Sequence, residues 1–201
     1  MSITASPPLA PGEQKSQERH WTAEEFYEAA AAGEFDDPGR LELIQGRIIE
    51  KMPTGPLHTT VSYDIAERLR AAAGLDFLVR EERVIHLAFD GEPTPDIALV
   101  RGKSSDYRKN HPTPGNVALL VEVSVSSVEY DLGEKALMYA KAGIGDYWVV
   151  IPEAQEVVVH RQPSPQGYQS VTRLAGTDTL SPLAMPGAVW TVDALLGRND
   201  A

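Results

Sequence analysis

A glutamate lies in the middle of the most hydrophobic segment of the sequence, residues 117–125 (VALLVEVSV). The many β-branched residues predict a β-strand, in which Glu122 shares one face with Ala118, Leu120 and Ser124. Because both faces of this strand are largely apolar, we predict that it is covered on both sides. A buried carboxylate without a partner costs several kcal/mol or takes up a proton. We therefore expect a cation, a metal ion or dense hydrogen bonding at Glu122.

A second carboxylate, Asp96, precedes another hydrophobic segment, residues 97–100 (IALV), and shares a strand face with the small Ala98. Two neighbouring carboxylates in a buried place favour a divalent cation, and their hard oxygen atoms suit Mg²⁺ or Mn²⁺. The alternative is a structural ion pair with one of the 18 basic residues of the chain. The two carboxylates alone leave both interpretations open.

A lysine is predicted to point towards these carboxylates. The helix that follows the strand carries an inward stripe, which consists of Leu132, Ala136, Tyr139 and Gly143. Lys135 falls within the same arc, although lysine is seldom buried without a partner. A cation there could orient an attacking water and stabilise the charge that develops on a phosphate. The alternative is that its aliphatic stem lies on the sheet while the ammonium reaches water.

His58 begins the apolar stripe of an earlier helix, predicted over residues 56–73, and therefore points inwards near the helix N-terminus. A lone inward histidine is more often a hydrogen-bonded core residue. Contact with a substrate, or proton transfer, is the functional alternative.

The segment 101–111 carries more cations than its surroundings, with Asp106 as the opposing charge; the cations are Arg101, Lys103, Arg108 and Lys109. In an acidic protein, such a basic loop beside the carboxylates could hold a phosphate backbone. A solvated loop without function is the alternative.

Helices and strands interleave along the chain. Helical patterns at residues 22–33, 56–73 and 126–142 alternate with strand patterns at 41–44 and 47–49, which a tight turn joins, and at 77–87, 96–100, 117–125, 147–151 and 157–161. This order predicts an α/β (α+β) fold with a mixed central sheet flanked by helices. The Pro- and Ser-rich residues 1–18 are predicted to be a disordered tail, and residues 19–201 a single domain.

The composition narrows the classes of protein to consider. The 201 residues include no cysteine, which excludes disulfides, thiolate zinc sites and cysteine nucleophiles and suits a reducing cytosol. The first residues do not resemble a secretory signal, and no apolar run could span a bilayer, so we predict a cytoplasmic protein with no membrane partner. The net charge of −11 argues against nonspecific binding to nucleic acid.

An ordered set of short motifs resembles the Uma-type restriction-endonuclease family of the PD-(D/E)xK nuclease superfamily. The motifs are LELI at 41–44 with Gly46, His58, PD at 95–96, EVS at 122–124, DLGEK at 131–135 with Tyr139, Gly143, and DYWVV at 146–150. The resemblance covers roughly residues 21–197 and implies a restriction-endonuclease-like core.

The resemblance also implies roles for individual residues. Asp96 and Glu122 would be metal ligands, and His58 would contact the substrate or transfer a proton. The superfamily's usual lysine position is Ser124 here, so its role would fall to Lys135 on the following helix. Glu42 would correspond to an acidic residue of the superfamily's first helix, although its surroundings here predict a strand.

Together these observations predict a divalent-metal-dependent endonuclease that hydrolyses phosphodiester bonds of DNA. Asp96, Glu122 and the carbonyl of Val123 would hold Mg²⁺ or Mn²⁺, and Lys135 would position the attacking water. A homodimer is expected, since cleavage of both strands of a duplex is simplest with two-fold symmetry. The alternatives are a catalytically silent module that binds nucleic acid or protein, and a phosphoesterase with a small substrate, which the charge of −11 would tolerate better.

Overall fold

A computed structural model of the chain describes residues 19–87 and 90–197. The tail predicted for residues 1–18 lies outside the described residues. In the two described ranges, no helix is both long and apolar enough to cross a lipid bilayer.

The described elements are ten strands, five short or long α-helices and four other helical turns. The strands are β1 (Leu41–Ile44), β2 (Arg47–Glu50), β3 (Phe77–Glu81), β4 (Ile97–Arg101), β5 (Val117–Val123), β6 (Asp146–Ile151), β7 (Glu156–Ser164), β8 (Gly167–Ala175), β9 (Thr179–Leu180) and β10 (Trp190–Thr191). The α-helices are α1 (Ala23–Ala32), α2 (Pro56–Ala73), α3 (Val128–Tyr130), α4 (Ala136–Lys141) and α5 (Val192–Leu195). A π-helical turn, Asp131–Lys135, joins α3 to α4. Short 3₁₀ turns occupy Pro38–Arg40, Ser104–Tyr107 and Pro114–Asn116.

Six strands form the central sheet in the order β3-β4-β5-β6-β7-β8. All neighbours are antiparallel except β5 and β6, which are parallel and are joined by the helical segment from α3 to α4. The predicted mixed sheet flanked by helices is therefore confirmed. Two further pairs, β1 with β2 and β9 with β10, form small antiparallel sheets.

The two faces of the central sheet pack against different helices. Leu99, Leu119 and Val121 belong to one buried cluster with apolar residues of α2 and α5. Ala98 and Leu120 belong to the other cluster, with residues of α4. Because side chains alternate along a strand, Asp96 lies on the same face as Ala98, and Glu122 on the same face as Leu120. Both carboxylates therefore face α4.

Two predicted strands are shorter than the sequence pattern indicated. The strand expected over 77–87 ends at Glu81, because Glu82 has a positive φ of 47° that is incompatible with an extended strand. The strand expected over 117–125 ends at Val123. The nine-residue β8 has only a weak strand pattern in the sequence, because this edge strand is largely exposed and rich in polar residues.

The helix predicted after β5 is not a regular α-helix. Its first turn has no side-chain cap at Ser127, whose hydroxyl donates to the Asp131 carboxylate at 2.5 Å. The π turn Asp131–Lys135 follows, and both of its terminal side chains are buried. Inserted π turns are frequent at functional sites, and this one brings two charged side chains to the inner side of the helix.

Candidate active site

The two strand carboxylates, the inward histidine and the inward lysine line one cavity of about 270 Å³. The cavity lies where β5 ends and β4 begins, between the N-terminus of α2 and the π turn. The side chains of Asp96, Glu122 and Lys135 are only 8%, 3% and 7% exposed. These residues are separated by 26 and 13 positions in the sequence. They converge because they lie on the facing sides of β4, β5 and the helical segment.

Asp96 is bound from two sides. His58 Nε2 lies 3.0 Å from Asp96 Oδ2, and the backbone N–H of Val123 donates to the same oxygen at 2.8 Å. Burial alone would raise the pKa of Asp96, but the His58 hydrogen bond and charge, the Lys135 charge and the Val123 N–H hold it below its usual value. The same hydrogen bond raises the pKa of His58 above its usual value, against the effect of burial. The pair is therefore a carboxylate with a readily protonated imidazole.

Glu122 is bound by a different cation. Lys135 Nζ lies 2.8 Å from Glu122 Oε1, and the Tyr139 hydroxyl donates to the same oxygen at 2.9 Å. Burial raises the pKa of Glu122 to about 8; the charge of Lys135 opposes this rise, and nearby carboxylates, with Asp96 the largest contributor, add to it. Burial would lower the pKa of Lys135, but the charge of Glu122, followed by those of Glu42, Asp131 and Asp96, outweighs burial and raises that pKa, so Lys135 remains an ammonium ion.

Two further carboxylates complete the acidic surroundings of Lys135. Asp131 Oδ1 lies 3.9 Å from Lys135 Nζ, one helical turn away, and the Tyr147 hydroxyl donates to the Asp131 carbonyl at 2.9 Å. Glu42 is buried on β1, which confirms the strand that its surroundings predicted, and its Oε1 accepts the backbone N–H of Thr94 at 2.6 Å. Glu42 thus fixes the segment that leads into Asp96.

The arrangement leaves two carboxylate oxygens for a metal ion. Among the described residues, no donor binds Asp96 Oδ1, and Glu122 Oε2 receives only a long contact of 3.4 Å from the Asp96 backbone N–H. The N–H and carbonyl of one strand residue point to the same side, so the Val123 carbonyl also faces Asp96. No set of three or more acidic or histidine side chains that could hold a metal occurs within 19–87 and 90–197. Two carboxylates supplemented by a carbonyl, water and phosphate suit Mg²⁺ or Mn²⁺.

The four cations of the basic loop do not line this cavity, so their contact with a phosphate backbone stays a prediction. β4 and β5 are antiparallel, so the segment that connects them leaves from the end of β4 opposite Asp96. Five residues of strand place Arg101 about 17 Å from Asp96. None of the four cations lines the cavity; they are Arg101, Lys103, Arg108 and Lys109.

Two residues of the site were not given a role from the sequence. Tyr139 was placed on the inward stripe, and its spacing of four from Lys135 could have indicated a shared partner. Lys51 lines the cavity just after β2 and donates to the Thr94 carbonyl at 2.9 Å. Nothing in its surrounding sequence indicates this, because it lies in an irregular segment without periodicity.

A comparison with known protein families identifies the family of this chain. The model of the Uma2 family, described as "Putative restriction endonuclease", matches residues 23–193. The chain belongs to the Uma2 family. The matched residues include every residue of the candidate site, and the resemblance found in the motifs is confirmed. No curated protein matches the chain.

One solved structure similar to this Uma2 chain is the crystal structure of "a putative nuclease belonging to DUF820" from Anabaena variabilis. The two chains are 17% identical, with a TM-score of 0.64, and the similarity covers 79% of this chain and 90% of the other. At this level of identity, the similarity demonstrates the shared fold alone.

Proposed function

We propose that this Uma2 protein is a divalent-metal-dependent endonuclease that hydrolyses phosphodiester bonds of DNA. One observation carries the proposal: two adjacent buried carboxylates, Asp96 and Glu122, each keep an oxygen without a strong partner, and the ammonium of Lys135 lies beside them. A purely structural ion pair would have no need for a second carboxylate next to the first. The family description and the fold shared with the protein described as "a putative nuclease" support the same conclusion.

Asp96, Glu122 and the Val123 carbonyl would hold Mg²⁺ or Mn²⁺. When bound, such an ion polarises a phosphoryl oxygen and lowers the pKa of water. Lys135, kept cationic by its carboxylate neighbours, would orient the attacking water and stabilise the charge that develops on the phosphate. His58 would transfer a proton or contact the substrate, because its hydrogen bond to Asp96 raises the pKa of its imidazole and so favours the imidazolium form.

Supercoiled plasmid DNA and a single-stranded oligonucleotide, incubated with Mg²⁺, with Mn²⁺ or with EDTA, provide the test. We expect cleavage with either metal, none with EDTA, and a loss of at least about 100-fold in Asp96→Asn. A homodimer, which we also propose, would produce linear plasmid together with nicked plasmid, whereas a monomer would accumulate nicks first. If wild type and Asp96→Asn are equally inactive on both substrates with both metals, the endonuclease proposal is wrong.

The basic loop would serve only substrates long enough to reach it. Its four cations begin about 17 Å from Asp96, which corresponds to about five nucleotides along a strand. We therefore expect replacement of Arg101, Lys103, Arg108 and Lys109 by alanine to weaken binding of a duplex of about 30 base pairs. The salt slope of that binding should also fall, because fewer phosphates are neutralised.

Fluorescence anisotropy with Ca²⁺ in place of Mg²⁺ measures this binding without cleavage. An oligonucleotide of about three nucleotides, too short to reach the loop, is the control, and it should bind the quadruple variant and the wild type equally. If both proteins have the same affinity and salt slope on the long duplex, the loop is merely solvated.

A further inference from the structure

The cationic side chains that line the cavity differ in whether a carboxylate is their partner. Lys135 is paired with Glu122 and Asp131, and His58 is bound to Asp96. Lys51 lines the same cavity, yet in the part of the chain that the structure describes it forms no ion pair. Among the described residues, the one hydrogen bond of its ammonium group is to a neutral carbonyl, that of Thr94, at 2.9 Å.

The position of the Lys51 ammonium is fixed by the segment that leads into the site. The Thr94 peptide is bound on both sides, since its N–H donates to Glu42 Oε1 at 2.6 Å and its carbonyl accepts Lys51. Thr94 lies two residues before Asp96, so the ammonium is held within about 7–10 Å of the carboxylate pair. Lys51 also lowers the pKa of His58 through its charge, which places it within electrostatic reach of that ring.

A nucleic-acid strand in this cavity needs such a cation. The buried lining carries four carboxylates, from Glu42, Asp96, Glu122 and Asp131, against the paired Lys135 and His58. A divalent ion would offset the remaining negative charge but would leave little positive charge for a second phosphate. An ammonium has three N–H donors, and the Thr94 carbonyl occupies one of those of Lys51, so two remain.

We propose that Lys51 binds the backbone phosphate adjacent to the one being cleaved and thereby selects a substrate with at least two consecutive phosphates. This inference rests on the proposed endonuclease function. The scissile phosphate would lie with Asp96, Glu122 and Lys135, and Lys51, which lines the same cavity, would bind the next one. Lysine suits this contact because its ammonium is a compact point charge that does not demand a bidentate geometry.

The test compares Lys51→Ala with wild type on two substrates. One is a short DNA oligonucleotide, and the other is bis-p-nitrophenyl phosphate, a diester with a single phosphate. We expect KM for the oligonucleotide to rise about tenfold with little change in kcat, a loss typical of one hydrogen bond to a charged group. KM for the single-phosphate diester should be nearly the same in Lys51→Ala and wild type. Lys51→Arg should recover most of the affinity, and Lys141→Ala, an exposed lysine at the end of α4, is the matched control.

A neutral methylphosphonate at the adjacent position of the oligonucleotide completes the experiment. KM of wild type for this substrate should resemble KM of Lys51→Ala for natural DNA. KM of Lys51→Ala for the methylphosphonate substrate should rise no further, because both changes remove the same contact. Equal losses on both substrates, or none on either, would overturn the inference while leaving the endonuclease function intact. If wild type hydrolyses neither substrate, the proposed endonuclease function is wrong. Fluorescence anisotropy with Ca²⁺ then tests the phosphate contact of Lys51 by itself. Equal affinities of wild type and Lys51→Ala for the oligonucleotide would overturn that contact.

Discussion

Glu122→Gln is expected to raise the thermal midpoint of the metal-free protein at pH 8 and to abolish its response to Mn²⁺ and Mg²⁺. Glu122 has a pKa raised to about 8 by burial and by its carboxylate neighbours, so its ionised form is disfavoured in the folded state. The folded state binds this proton more tightly than the unfolded state, whose glutamate has a pKa of about 4.3. The stability of the metal-free wild type should therefore fall as the pH rises from about 4.5 to about 8.

Glutamine mimics the protonated form, so the variant should lack this dependence on pH. In the wild type, millimolar metal should recover the loss, because it binds the folded state and offsets the repulsion between the carboxylates. A metal concentration of about 100 times Kd stabilises by about 2.7 kcal/mol, which corresponds to a midpoint shift of about 5–10 °C in a chain of this length.

Thermal unfolding with EDTA or with metal, recorded between pH 5 and pH 8.5, measures both effects. Glu129→Gln is the matched control, because Glu129 is an exposed glutamate a few residues further along the chain. If wild type ignores metal and Glu122→Gln is merely destabilised, the Lys135–Glu122 contact is a structural ion pair and the metal site is wrong.

Lys135→Met should have the largest effect of any single change in the site. Methionine fills much of the same volume but leaves Glu122 without its cation at 2.8 Å and Asp131 without its neighbour at 3.9 Å. Removing one partner of a buried pair costs about 3–5 kcal/mol. Hydrolysis should also fall by about 10²–10³, the usual loss when one electrostatic stabiliser of a transition state is removed.

A double variant separates the two contributions. Lys135→Met combined with Glu122→Gln removes both members of the pair, so much of the lost stability should return. Activity should not return, because the variant lacks both the cation and a metal ligand. Lys141→Met is the control for an exposed lysine on the same helix. A double variant that regains cleavage as well as stability would show that Lys135 has only a structural role.

The sequence alone determined the elements that carry the site and the side of each element that the functional residues occupy. Alternation along 117–125 placed Glu122 on a buried face, and helical spacing placed Lys135 on the inward side. These predictions succeeded because amphipathic patterns are local properties, set by the period of a strand or a helix. The mixed sheet followed from the order of the patterns, and the motifs identified the family.

Only the tertiary structure decided which charges are partners. His58 binds Asp96 while Lys135 binds Glu122, and the sequence contains nothing that distinguishes this pairing from the reverse. Likewise, the basic loop is close to Asp96 in the sequence, but none of its four cations lines the cavity, because β4 runs away from the site before the loop begins. Lys51 joins the cavity although 45 residues separate it from Asp96. Such contacts depend on strand register and on the packing of distant segments, and no local period encodes either one.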